Sequence, residues 1–145
     1  MFYPNTLQIE CQDKNLMPVR AHIGDGGLDL RSSREVLLMP LESVLISTGI
    51  KVAIPLGFVG LLFSRSGMAK HNITLVNSVG VIDHSYRGEI KVYLVNNGTN
   101  PFQIIYADRI AQLVLVPCSL PELELVEVVP STIRGEDGFG STGTA

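Results

Sequence analysis

Gly80-Val81-Ile82-Asp83-His84-Ser85-Tyr86-Arg87-Gly88-Glu89 joins two apolar, strand-like runs, Asn72 to Val81 before it and Ile90 to Val95 after it. A chain reversal needs Gly, Asn or Asp for its backbone geometry. It does not need a carboxylate, a phenol and a guanidinium, yet Asp83, Tyr86 and Arg87 stand together here beside apolar strands. The stretch is read as a binding hairpin with Asp83 as its chemical group.

Strand and short turn recur on both sides. Towards the N-terminus, Ile50, Val52 and Ile54 alternate as in a strand with one buried face, and Pro55-Leu56-Gly57 turns the chain into a second strand, Gly57 to Phe63. Ser64 to Lys70 is the one place for a short helix. Earlier still are short runs at Leu7 to Cys11, Leu28 to Leu30, Val36 to Leu38 and Val44 to Ile46. Between Leu28 and Leu30, Asp29 points away from the core side, towards solvent or a site. Towards the C-terminus, Asn96 to Pro101 is a turn, followed by strands at Phe102 to Tyr106 and Ile110 to Val116, and by a last strand at Leu123 to Val129. Ile110 to Val116 is apolar on both faces except at Gln112, so its own domain or a partner subunit covers both sides. This pattern predicts an all-β sandwich or barrel over residues 1–130. Residues 131–145 form a glycine-rich, aperiodic arm of the same domain, mobile on its own.

Composition narrows the function. A chain of 145 residues with 46% hydrophobic and 17% charged side chains buries a real core and is not disordered. A net charge of -3 argues against nucleic-acid binding. Two distant cysteines, Cys11 and Cys118, make neither a disulfide framework nor a common zinc motif. With no signal peptide and no membrane-spanning run, a cytoplasmic location is expected, or a nuclear one for a eukaryotic or viral source, but not a secreted one.

Each candidate group has a functional and a structural reading. A carboxylate such as Asp83 is ionised near neutrality and can deprotonate a water, or it can simply cap its own turn. Tyr86 stacks on a sugar or base, or fills a half-buried place on a sheet. Arg65-Ser66-Gly67 suits phosphate oxygens, or is an ordinary turn; no Gly-x-x-x-x-Gly-Lys-Ser/Thr loop is present. Gln112 needs partners inside an apolar strand, and neighbouring backbone would suffice. In the arm, Arg134, Phe139, Ser141 and Thr142 among glycines read as a lid that orders on binding, or as a frayed end. His22, His71 and His84 share no metal-ligand spacing, although His84 adjoins Asp83.

Five blocks in order resemble the motifs of the trimeric deoxyuridine triphosphate nucleotidohydrolases, the dUTPases. They are Gly26 to Ser32, Ser64 to Gly67, Gly80 to Glu89, Ala107 to Leu113 and Arg134 to Gly143. The resemblance implies a distorted jelly-roll β-barrel in a homotrimer with sites at subunit interfaces, and Mg2+-dependent hydrolysis of dUTP to dUMP and pyrophosphate. It implies that Asp83 activates the water attacking the α-phosphorus, with Arg65 and Gln112 in the catalytic set, and that Asp29 holds waters of the substrate-bound Mg2+. Ser66, Gly67, Asn77, Tyr86, Arg134, Phe139, Gly140, Ser141 and Thr142 would bind substrate, Tyr86 against deoxyribose and Phe139 over uracil. Two departures stand out. Gly26 and Ala107 occupy positions where the family commonly has Ala and Gly.

A dCTP deaminase shares the fold and much of the pattern, but Tyr93 stands where that class carries its glutamate. A binding protein with an inactive site sits poorly with an intact Asp83, Gln112 and Arg134. A purely structural jelly roll leaves the arm unexplained.

Overall fold

The computed structural model describes residues 6–136 and residue 138. The strands are β1 (Gln8–Cys11), β2 (Leu28–Arg31), β3 (Val36–Leu38), β4 (Ser43–Ser47), β5 (Ile50–Ala53), β6 (Phe58–Phe63), β7 (Ile73–Leu75), β8 (Gly80–Ile82), β9 (Lys91–Asn96), β10 (Phe102–Ile104) and β11 (Arg109–Pro117). A 3-10 turn at Lys14–Leu16 and a single helical turn, α1 (Ser66–Ala69), complete the described elements. The pairings are antiparallel and form four small sheets: β2-β11-β6-β8, β4-β9-β7, β1-β5 and β10-β3. The chain is all-β, and the helical turn falls where the sequence placed it.

Alternation builds the core. Ile50, Val52 and Ile54 are all buried, as their spacing predicts, and Leu30, Leu38, Ile46, Ile73, Val92, Ile104, Ile110 and Leu113 have no exposed surface at all. Each such side chain contributes roughly 1.5–3 kcal/mol on burial. On β11 one face is closed by Ile110, Ala111 and Leu113, while Val114 and Val116 stay partly open in the isolated chain.

Three expectations need correcting. First, the runs flanking Gly80 to Glu89 pair only over their outer parts and close no hairpin at the turn itself. β7 pairs with β9, but β8 crosses to the other sheet and pairs with β6, Gly60 facing Ile82 and Leu62 facing Gly80. The run from Asn72 to Val81 breaks at Asn77-Ser78, where Ser78 takes a φ of 58° and Val79 N–H donates to the Asn77 carbonyl. Asn and Ser favour turns, and this break releases the chain from one sheet to the other. Second, Leu123 to Val129 is not a strand: no described segment pairs with it, and Leu123 and Leu125 are 98% and 99% exposed. Third, the strand expected over Phe102 to Tyr106 stops at Ile104, because Asp108 N–H donates to the Ile105 carbonyl and closes a turn.

Among the described residues no helix is long and apolar enough to cross a membrane.

Candidate active site

Asp29 sits at the centre of β2, paired across to Gln112 of β11, and Gln112 in turn faces Phe63 of β6. Three strands thus bring Asp29, Gln112 and the residues after Phe63 to one edge. Arg65 leaves β6 in extended backbone as the residue preceding α1. Its Nε donates to Asp29 Oδ1 at 2.6 Å and a terminal nitrogen to Oδ2 at 3.3 Å. Arg109 donates to the same Oδ2 at 3.1 Å. With its side chain only 11% exposed, Asp29 is a nearly buried carboxylate held between two guanidiniums. That pairing offsets the desolvation which a lone buried charge would suffer.

Asp29 turns to Arg65 and Arg109 rather than to solvent, one of the two outcomes that its place between Leu28 and Leu30 allows. The second guanidinium, Arg109, was not singled out from sequence. A bulge between Arg109 and Ala111 turns it onto Asp29, and a bulge leaves no signature in residue spacing.

A cavity of about 330 Å³ opens beside this pair, lined by Ala21, Asp25, Gly26, Gly27, Asp29, Arg65, Ser66 and Gln112. Gln112 is held by donation from Nε2 to the Ser64 carbonyl at 3.0 Å, the neighbouring-backbone partner that its setting demands. The amide end of Gln112 packs directly on Gly27, where a Cβ would lie 2.5 Å from Oε1. Asp25 adds a second carboxylate to the lining. Its Oδ2 accepts from His22 N–H at 2.9 Å, and its carbonyl accepts from Arg20 Nε.

Asp83 and Tyr86 lie in a second cavity, of about 280 Å³, with Val81, Ile82, Glu89, Ile90 and Lys91. The structural reading of Asp83 as a turn cap is not what the geometry shows. Its carbonyl accepts from Tyr86 N–H at 3.1 Å, but its carboxylate makes no hydrogen bond among the described residues. Tyr86 donates its hydroxyl to the Glu89 carbonyl at 2.9 Å, and its ring lies so close to Gly88 that a Cβ there would clash with the phenol oxygen.

The two cavities sit at opposite ends of β6. Gln112 faces Phe63, whereas β8 runs back so that Ile82 faces Gly60, and Asp83 lies beyond it. At least about 10 Å of strand separates them, at roughly 3.3 Å per residue. One chain therefore does not bring Asp83 to Arg65 and Gln112.

Of the other expected residues, Ser66 lines the first cavity, while Gly67 within α1 and Asn77 in the turn before β8 line neither. Arg134 lies in the exposed segment after β11. Phe139, Gly140, Ser141 and Thr142 fall outside the described residues. Tyr93, at the position that separates this chain from a deaminase, pairs with Leu45 on β4 and lines neither cavity.

The dUTPase family model matches residues 13–143. A deoxyuridine 5'-triphosphate nucleotidohydrolase of Corynebacterium glutamicum is 46% identical over 140 residues, covering 94% of both chains. One of Clostridium kluyveri is 49% identical over 130 residues, covering 89% of this chain and 91% of its own. Among solved structures, the dUTPase of Staphylococcus bacteriophage 80alpha with dUPNHPP superposes with a TM-score of 0.89 at 35% identity, covering 97% of this chain and all of that one. A mutant dUTPase from phage phi11 of S. aureus, in which coordination of a structural Mg(II) ion was described, matches with a TM-score of 0.79 at 34% identity, covering 86% of this chain and 98% of its own.

Proposed function

The chain belongs to the dUTPase family and is a dUTP diphosphatase, and from that premise we propose that it cleaves dUTP at the α-phosphorus with Asp83 as general base, in a site that two or more copies complete. The observation that carries this reading is the separation of the two half-sites along β6. Arg65, Ser66 and Gln112 form a cradle fit for phosphate oxygens at one end, and Asp83 with Tyr86 forms a pocket with an uncommitted carboxylate at the other. Neither is a complete site, and each is the natural complement of the other.

In the proposed reaction, Asp83 orients a water and takes its proton as the oxygen bonds to the α-phosphorus. The bond from that phosphorus to the bridging oxygen breaks, and pyrophosphate leaves with the electron pair. Arg65, Ser66 and Gln112 hold the phosphate chain so that attack is in line, and Arg65 enters that role already oriented by Asp29. Tyr86 walls the sugar and leaves no room for a 2′-hydroxyl, so selection against ribose is by exclusion.

Charge supports a cation carried by the substrate. Around the cradle, Asp25 and Asp29 balance Arg65 and Arg109, whereas a triphosphate brings about four negative charges. Mg2+ keeps several waters and binds through one or two carboxylates plus phosphates. Asp29, with both oxygens already accepting from arginines, fits contact with such an ion only through water. When bound, the ion supplies charge neutralisation on the phosphates. Arg134 and the arm from 131 to 145, with Phe139, Gly140, Ser141 and Thr142, would add the remaining cover.

The homotrimer has its own support. Leu120 to Val129 exposes Leu120, Leu123, Leu125, Val128 and Val129 without a strand partner among the described residues, and β11 leaves Val114 and Val116 half-open. The test is pyrophosphate release from dUTP, dCTP, dTTP and UTP, with and without Mg2+, for wild type and Asp83→Asn. The expected result is Mg2+-dependent cleavage of dUTP that drops at least about a hundredfold in Asp83→Asn. A folded Asp83→Asn protein with undiminished turnover would remove Asp83 from the mechanism.

A further inference from the structure

We propose that Glu89 is a positioning residue for the sugar-discriminating wall: its carboxylate fastens the Asp83–Glu89 loop to the β4–β5 turn, and its carbonyl fixes Tyr86. The inference rests on the reading that the Asp83 cavity receives the nucleotide. Glu89 Oε1 accepts from Gly49 N–H at 2.8 Å and Oε2 from the Ser47 hydroxyl at 3.2 Å. Its carbonyl accepts the Tyr86 hydroxyl at 2.9 Å. One residue thus grips a rigid turn with its side chain and the aromatic wall with its backbone.

The turn it grips is fixed independently. Gly49 takes a φ of 72°, and a Cβ there would strike Leu16 Cδ1 at 2.6 Å. Thr48, fully buried, donates its hydroxyl to the Ile90 carbonyl at 2.6 Å, and Ile90 N–H donates to Ile50 at 2.9 Å. Ile90 is therefore anchored without help from the Glu89 side chain. What the carboxylate adds is restraint on the loop side, where Tyr86 is 44% exposed and has no core packing to hold its ring. A charge-assisted acceptor suits that task better than a neutral one. Gly88 lets the ring lie against the backbone, where any Cβ would press on the phenol.

The experiment compares kcat/KM for dUTP and UTP in wild type, Glu89→Ala, Glu89→Gln, Tyr86→Phe and the Glu89→Ala/Tyr86→Phe double variant, with the melting temperature of each. Glu89→Ala should lower the dUTP-to-UTP ratio roughly tenfold, chiefly through KM. Glu89→Gln should restore most of it, since its carbonyl can accept from Gly49 and the Ser47 hydroxyl can turn to accept from the amide. Tyr86→Phe should show a similar loss, and the double variant should be no worse than either single one, because all break one brace. Additive losses, or an unchanged ratio in folded Glu89→Ala, would overturn the proposal. If Glu89→Ala does not fold, a Tyr86→Phe ratio equal to that of wild type does the same. Asp83→Asn run alongside separates the two failures: retained turnover sinks the nucleotide-site reading itself, whereas lost turnover with an intact Glu89→Ala ratio sinks only the brace.

Discussion

Ala107 sits at a φ of 64°, in the turn where Asp108 N–H donates to Ile105 and Asp108 Oδ2 accepts from Ile105 N–H. That left-handed backbone costs a residue with a Cβ about 1–2 kcal/mol, part of which glycine would give back through the freedom of its unfolded chain. Ala107→Gly should gain about 0.5–1 kcal/mol net and raise Tm by roughly 2 °C, with turnover unchanged; a lower Tm in a thermal scan would show that the turn tolerates its Cβ. One residue earlier, Tyr106 donates to the Asp13 carboxylate, which holds Asp13 below its ordinary 3.8 and lifts Tyr106 above its ordinary 10.0. A depressed carboxylate contributes stability above its unfolded value and loses it as pH falls through the folded one. A raised phenol contributes below its unfolded value and loses it as pH climbs. Wild type should therefore melt slightly above Tyr106→Phe near neutrality, and the two curves should converge well below 3.8. A gap that persists in acid would assign it to packing. At this scale the sequence pointed to candidate groups and was silent on their partners. The place of Asp29 between Leu28 and Leu30 made it a legible candidate, but the arginine pair that holds it depends on a bulge and on a strand distant in sequence.

At the scale of elements, β2 and β11 place Gly27 and Gln112 so closely that the strand pair and the proposed phosphate cradle are one structure. Gly27→Ala should push the Gln112 amide aside, because the clash is with the end of a flexible side chain rather than with backbone. The fold should survive with Tm nearly unchanged, while kcat/KM for dUTP falls about ten- to a hundredfold. Equal kinetics in the variant would mean that Gln112 does not touch the substrate. Strand existence followed from local alternation, as at Ile50, Val52 and Ile54, because a half-buried strand writes its period into its own residues. Strand partnership did not. Nothing within Gly80 to Ile82 tells that it pairs with β6 rather than with β9, and nothing in Leu123 to Val129 tells that it pairs with no strand among the described residues. Pairing is decided by non-local contacts, and the turn residues Asn77 and Ser78 were the one local hint of the crossing.

For the whole molecule, the central question is whether Asp83 acts on phosphates held by its own Arg65 or by another copy's. The separation along β6 supports the proposal that it is another copy's, since the two groups lie at opposite ends of one strand. The sequence could name both groups but not their separation, which exists only once β8 and β11 have flanked β6. Complementation tests it directly. Asp83→Asn and Arg65→Ala are each expected to be nearly inactive alone. Co-refolded in equal amounts, they form mixed oligomers in which a site needs its carboxylate from an Arg65→Ala subunit and its guanidinium from an Asp83→Asn subunit. Random assembly makes about a quarter of interface sites intact, so roughly a quarter of wild-type turnover should return. A site contained within one chain could regain nothing, whatever the mixing. Light scattering and mass measurement on the mixture establish that hybrids formed; mixed oligomers without recovered dUTP cleavage would place both groups of each site on a single chain.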